Sequence, residues 1–118
     1  VSISTFTAHS SPLGLVFDTK RKLSAEFKGD GFVLRNTIGT KSSLMKPFTD
    51  QGRDLLHLDM SYDKLSDNYF VKTTRIVDSF NNPSDAVLLG NSLYIIEYDA
   101  KVGSIWKVTF PTANQKRQ

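Results

Sequence analysis

Between Pro83 and Phe110 the sequence breaks into three short runs rich in Val, Leu, Ile and aromatic residues. Gly90-Asn91 separates the first run from the second, and a loop holding Asp99 and Gly103 separates the second from the third. Apolar, β-prone runs divided by such turn residues read as an antiparallel three-strand meander. A meander this short buries too little apolar surface to offset the entropy of ordering it, so it belongs to a repeated or layered β structure.

Upstream the same kind of pattern recurs. Ser2-Ile3-Ser4-Thr5-Phe6-Thr7 alternates polar and apolar residues and reads as a lone short strand. After a loop from Ala8 to Pro12, Leu13-Gly14-Leu15-Val16-Phe17-Asp18 is a compact apolar run, expected to be an inner, well-buried strand. Gly14 within it marks a close backbone approach. Thr19 to Lys28 sets Lys20, Arg21, Lys22, Glu26 and Lys28 around Leu23 and Phe27, and its charges place it at the surface, as a helical turn or an extended loop. Gly29-Asp30-Gly31 is a turn and Phe32 to Thr37 a strand. Ile38 to Arg53 has no sustained period and contains Gly39, Pro47 and Gly52, which makes it a long loop; Leu44 to Phe48 is its apolar patch. Leu55 to Ser61 alternates, with Leu56, Leu58 and Met60 on one face and His57 and Asp59 on the other. Tyr62 to Asn68 is turn material, and Tyr69 to Phe80 is a long outer strand whose Lys72 and Arg75 suit an exposed edge.

The order is one lone strand, then four, then three. Four antiparallel strands per unit, opening on a short apolar inner strand and closing on a more polar outer one, is the blade pattern of a β-propeller. The expected fold is therefore all-β, a partial β-propeller of about two to two and a half blades at ~40–45 residues per blade. The chain forms one β domain: residues 13–80 one blade, 83–110 three strands of the next, 2–7 the last strand of the blade before, and 111–118 a tail. A β-sandwich is the rival. It accounts for the number of strands but not for the Pro-led inner strand at Pro12-Leu13-Gly14-Leu15 and again at Pro83-Ser84-Asp85-Ala86-Val87. A section of a ring has unpaired edges, so the chain is expected to bury them against the remaining blades, whether of the same polypeptide or of other chains, and not to be a stable monomer.

Composition narrows the function classes. With 118 residues, 39% hydrophobic and 23% charged, the chain falls in the range of one globular domain. Its net charge is +3, five of its fifteen Lys and Arg fall in Lys20-Arg21-Lys22 and Lys116-Arg117, and no aromatic residues interleave with those runs, so nucleic acid is not expected as a partner. No apolar run approaches the ~20 residues of a membrane-spanning helix. The absence of cysteine rules out disulfides and thiolate metal sites.

Several of these segments, taken together, resemble a known family. Ala8-His9-Ser10-Ser11-Pro12-Leu13-Gly14-Leu15-Val16-Phe17, Phe27-Lys28-Gly29-Asp30-Gly31-Phe32-Val33, Asn82-Pro83-Ser84-Asp85-Ala86, Gly90-Asn91-Ser92-Leu93-Tyr94-Ile95 and Gly103-Ser104-Ile105-Trp106-Lys107-Val108 look like the C-terminal end of the pyrroloquinoline-quinone (PQQ)-dependent glucose/sorbosone dehydrogenases. The resemblance implies a six-bladed propeller, a periplasmic or secreted location, and a parent protein that oxidises an aldose or related sugar hydroxyl with PQQ and calcium. The catalytic histidine and the calcium ligands of that family lie in blades this chain does not contain. The chain alone is therefore expected to have no catalytic residue, no metal site, no bound cofactor and no dehydrogenase activity.

Four residues are candidates for contact with the quinone. His9 precedes the first inner strand, in a region that the resemblance places near the cofactor, where a neutral imidazole can hydrogen-bond an anion or take a proton. Arg35 and Asn36 end the second strand, and Lys41 follows in the long loop, where the family has a basic residue facing the quinone carboxylates; a guanidinium or ammonium suits such an anion. Against this, the family commonly carries arginine where this chain has Asn82 and Ser84. That departure favours the alternative, a non-catalytic propeller module for binding or assembly that has lost the cofactor. His57, on a strand between leucines, reads as a structural histidine, and Glu97 with Asp99 as a turn cap or a solvated face rather than a metal site.

Overall fold

The computed structural model describes residues 2–6, 10–37, 50–98 and 101–113. Among them seven strands follow in chain order: β1 (Pro12–Phe17), β2 (Gly31–Arg35), β3 (Asp54–Asp63), β4 (Asn68–Val77), β5 (Pro83–Leu89), β6 (Ser92–Tyr98) and β7 (Gly103–Thr109). No helix occurs among the described residues, and the chain is all-β. The strands form two antiparallel sheets, β1-β2-β3-β4 and β5-β6-β7, each a meander whose neighbours in space are neighbours in sequence. Among the described residues no Greek-key crossing joins them.

Turn chemistry explains the meanders. Leu89 pairs with Ser92 across the two-residue turn Gly90-Asn91, and Gly90 takes φ +61 at the first central position, the arrangement that places glycine in a type II′ hairpin. Between β3 and β4, Asp63 accepts hydrogen bonds from the Leu65 and Ser66 amides and the Ser66 hydroxyl, which closes the four-residue turn. These bonds hold the Asp63 pKa below its ordinary value, the Ser66 hydroxyl contributing most.

The main core lies between the sheets. Phe32, Leu34 and Leu55 of the first sheet meet Leu93 and Ile95 of the second, and Leu23, Phe80 and Phe110 from the connecting segments complete the cluster. Leu23 and Phe27 belong to the charged stretch from Thr19 to Lys28, expected at the surface. The charges are indeed outside, but Leu23 is fully buried and Phe27 packs edge-on against Phe110 at 5.1 Å. Asp18 holds the stretch in place: its carboxylate accepts the amides of Lys22, Leu23 and Gly29. Beyond β7, Pro111 to Ala113 pairs with Lys22 to Ser24 and ties the end of the second sheet to this loop.

The sheets approach most closely where β5 runs beside β1 and β2. Gly14 makes this possible. Its φ is +62, and a Cβ there would lie 3.1 Å from the Ala86 amide nitrogen and 3.2 Å from both the Asp85 Cα and Leu34 Cδ1. The close approach expected at this glycine is therefore present, between the first strands of the two sheets.

Two expectations need correction. Residues 2–6 make no strand pairing; Phe6 packs against Val33, Leu56 and Leu58 on the outer face of the first sheet, and the Ser4 and Thr73 hydroxyls are 3.3 Å apart. The segment is held by side chains on a sheet face and not by backbone at a sheet edge. The apolar run of β1 is also not well buried, since Leu13, Leu15 and Phe17 are 43, 56 and 40% exposed. They point away from the second sheet, onto the same outer face. The strand boundaries differ from the sequence reading mainly in β3 and β4, which extend to Asp63 and stop at Val77.

Candidate functional site

Two of the four proposed cofactor contacts, Arg35 and Asn36, fall at the end of β2; His9 and Lys41 lie outside the described residues, as do Leu44 to Phe48 and Asp99. Arg35 stands directly opposite Asp54 in the β2–β3 register. Its Nε donates to Asp54 Oδ1 at 2.8 Å and its Nη2 to Asp54 Oδ2 at 2.6 Å, a bidentate fork on a fully buried carboxylate. Nη1 and Nη2 also donate to the two oxygens of Asp50, with Nη2 to Oδ1 at 2.8 Å. Across the sheet, Arg75 on β4 brings its Nε to 3.0 Å from Asp54 Oδ2.

The result is two cations against two carboxylates, with Arg35 and Asp54 buried and Arg75 at the solvent side. The Asp54 hydrogen bond is the largest influence on the guanidinium and, with Asp50, outweighs burial, so the Arg35 pKa is raised. Such a group is a poor receptor for a quinone carboxylate. Binding one would require the guanidinium to leave Asp54 and Asp50, and the exchange of one anion for another gains little.

Asn36 is committed in a similar way. Its Nδ2 donates to Asn82 Oδ1 and, at 2.7 Å, to the Pro83 carbonyl, while Asn82 Nδ2 donates to the Tyr98 carbonyl at 2.7 Å. These bonds lace β2 to the start of β5 and the end of β6. Asn82 is thus a rung of the seam between the sheets where the resembling family carries arginine. Ser84 turns its hydroxyl to the Asn82 carbonyl at 3.3 Å. Asn36, Asn82 and Ser84 are thus engaged in a structural seam, and Arg35 in an ion-pair cluster of the first sheet.

Of the residues read as structural, His57 and Glu97 are both described and both engaged within the fold. His57 is buried, its Nε2 2.8 Å from Asp30 Oδ2, and its ring stacks on Phe32 at 5.5 Å between centroids. Asp30 also accepts the Met60 amide. Glu97 caps the turn before β5: its Oε1 accepts the amides of Asn81 and Asn82, the latter at 3.0 Å, and its Oε2 accepts the indole N–H of Trp106. Burial disfavours the Glu97 carboxylate, yet the indole and the two amides together outweigh it and leave its pKa below the ordinary value of 4.5.

That shift carries a pH prediction. A carboxylate whose pKa falls on folding stabilises the native state above the unfolded pKa and loses this contribution as pH falls through the native one. Trp106 is the chain's only tryptophan. Its fluorescence is expected to stay constant from pH 8 to about 5 and to change only below the ordinary glutamate pKa, as the Glu97 cap protonates. A transition centred above pH 5 overturns this assignment. Glu97→Gln should remove the transition.

What the sequence reading missed is the partnership of Arg35 with Asp54, Asp50 and Arg75. The β2–β3 register is the signal that finds it, because it places Arg35 and Asp54 opposite each other. Elsewhere, an apolar groove of about 560 Å³ runs over the outer face of the first sheet, among Ile3, Phe6, Leu13, Leu15, Met60 and Val71. Among the described residues no group of three His, Asp or Glu side chains is placed to hold a metal ion, and no helix is long and apolar enough to cross a membrane. Comparison with known proteins finds no matching family model, no matching curated protein and no matching solved structure.

Proposed function

We propose that this chain is a non-catalytic section of a larger assembly of β-propeller type, in which its two sheets are adjacent blades and their outward faces receive further blades. The observation that carries this reading is that both outward faces are apolar and exposed. On the first sheet the face holds Leu13, Leu15 and Phe17 beside the groove. On the second it holds Val87, Leu89, Ile96, Tyr98 and Ile105, each about half exposed or more. A sheet of an independent two-layer domain keeps one face polar, whereas a blade is covered on both. The adjacency of β1 and β5, the first strands of two sequential meanders, also supports the reading.

The test is whether these faces seek cover. The pure chain should bind an environment-sensitive apolar dye and self-associate in sedimentation, and Leu15→Asp with Leu89→Asp should reduce both at least severalfold. A well-folded chain that ignores the dye, and whose association is unchanged by these substitutions, overturns the proposal. The reading in which a longer parent is a PQQ-dependent sugar dehydrogenase, periplasmic or secreted, rests on the sequence resemblance, above all on the His9 to Leu15 element. Calorimetric titration of the longest available polypeptide with PQQ and calcium decides it: tight, calcium-dependent binding supports the enzyme, and no heat of binding leaves the assembly module.

A further inference from the structure

We infer that two copies of this chain pair through β7, strand to antiparallel strand about a two-fold axis at Trp106, to make one six-stranded sheet. The inference concerns a sheet edge and is independent of what covers the outward faces.

Three strands other than β7 border a sheet, and each is guarded or engaged. β4 carries an exposed Lys72 and an Arg75 engaged with Asp54, β1 breaks register between Leu13 and Val16 and lies beside β5, and β5 lies against β1 and β2. β7 has none of these protections. Its seven residues hold an unbroken register with β6, include no proline and carry Ile105 and Trp106 more than half exposed. Its one charge, Lys107, sits with its ammonium 6.0 Å from the centre of the Tyr94 ring on its own sheet. A regular, largely apolar edge whose one lysine lies over a ring of its own sheet is a template for another strand.

Neither end of the described chain supplies that strand. Residues 2–6 lie on the outer face of the other sheet. Pro111 to Ala113 turn away from β7 to pair with Lys22 to Ser24.

The pairing that β7 makes with itself favours a second copy as the occupant. The Phe110 amide donates to the carbonyl of Asn91, the residue opposite it, so this is a hydrogen-bonded pair. Counting back along the regular register, Ser104, Trp106 and Val108 turn their backbone groups to β6, and Gly103, Ile105, Lys107 and Thr109 turn theirs outward. When β7 meets itself in the register that uses all its residues, Ile105 faces Lys107 of the second copy and Gly103 faces Thr109, both as hydrogen-bonded pairs. Trp106 meets Trp106 at the central non-hydrogen-bonded site, where side chains come closest and aromatic pairs are favoured. No like charges oppose each other in this register. The outward groups of both strands therefore match without any change of backbone conformation.

The test begins with the unaltered chain. Amide hydrogen exchange at Ile105 and Lys107 should slow at least tenfold as concentration rises through the dimerisation range, while the Leu65 amide in the β3–β4 turn stays fast. Light scattering should give the dimer mass. Lys107→Pro removes an outward N–H and leaves the β6 ladder intact, so it should weaken association at least tenfold with the β spectrum unchanged. Because the chain has no cysteine, Trp106→Cys should form a disulfide-linked dimer on mild oxidation far faster than Leu65→Cys. A monomer at all concentrations, concentration-independent exchange at Ile105 and Lys107, or equal cross-linking of the two cysteine variants overturns the inference. If association instead falls with Leu15→Asp and Leu89→Asp while β7 stays unprotected, the blade reading stands and this one fails. If β7 is protected while those substitutions change nothing, the outcome is reversed.

Discussion

Asp54→Ala is expected to lower the unfolding free energy by about 3–5 kcal/mol, the cost of stranding a buried charge when its partner is removed. Asp54 is fully buried and accepts both Arg35 nitrogens and the Arg75 Nε, so its loss leaves Arg35 with only the partly exposed Asp50. Arg35→Met should cost a comparable amount, since Asp54 is then buried with only Arg75. The exposed Arg75→Ala should cost about 1 kcal/mol or less. Arg35→Met combined with Asp54→Leu should recover much of the loss, because the desolvation of both charges is removed together. Urea unfolding of the four proteins measures these differences. The same series decides the role of Arg35: a guanidinium kept for a cofactor could be replaced with little effect on the stability of the chain, whereas one that neutralises the buried Asp54 could not. An Arg35→Met protein as stable as the parent would return Arg35 to the list of binding candidates.

The second large effect is expected at Gly14. Gly14→Val adds strain at φ +62, about 1–2 kcal/mol, and places new atoms against the Ala86 and Asp85 backbone and Leu34, for a total of about 2–5 kcal/mol. Gly90 supplies the control. It has nearly the same φ, +61, but nothing within 4 Å of the position its Cβ would take. Gly90→Ala should therefore show the strain alone, about 1 kcal/mol, and the difference between the two sites reads the closeness of the sheets. Equal losses at both sites would mean that β1 and β5 do not meet at Gly14. Loss of the seam should also raise apolar-dye binding, because it opens the core between the sheets.

Local chemistry made much of the fold legible. Gly90-Asn91 encodes a two-residue hairpin, the alternation in β3 encodes its two faces, and Lys72 with Arg75 encodes an outer edge; each of these is decided within a few residues. The division into four strands and three followed from counting such signals. The same reasoning assigned His57 to structural work, since a single polar residue among apolar neighbours on a strand is more often satisfied inside than exposed for chemistry.

The failures have one physical cause: the sequence shows which face a residue lies on but not what stands across from it. Leu13, Leu15 and Phe17 are apolar enough for a core strand, yet the second sheet packs on the opposite face and leaves them outside. Leu23 and Phe27 are surrounded by charges in sequence, but Asp18 folds the loop inward and delivers both to the core. Ser2 to Phe6 alternates like a strand, and only the position of a sheet face against an edge determines that its side chains do the binding. Arg35 looks like an anion receptor until β3 brings Asp54 opposite it and the following loop brings Asp50. The sequence by itself determined the all-β class, the hairpins and the close approach at Gly14, because turn geometry and side-chain period are local. Only the tertiary structure decided that Arg35 is neutralised within the first sheet and that Asn36 serves the seam between the sheets, because charge neutralisation and hydrogen-bond satisfaction depend on partners 15 to 47 residues away along the chain.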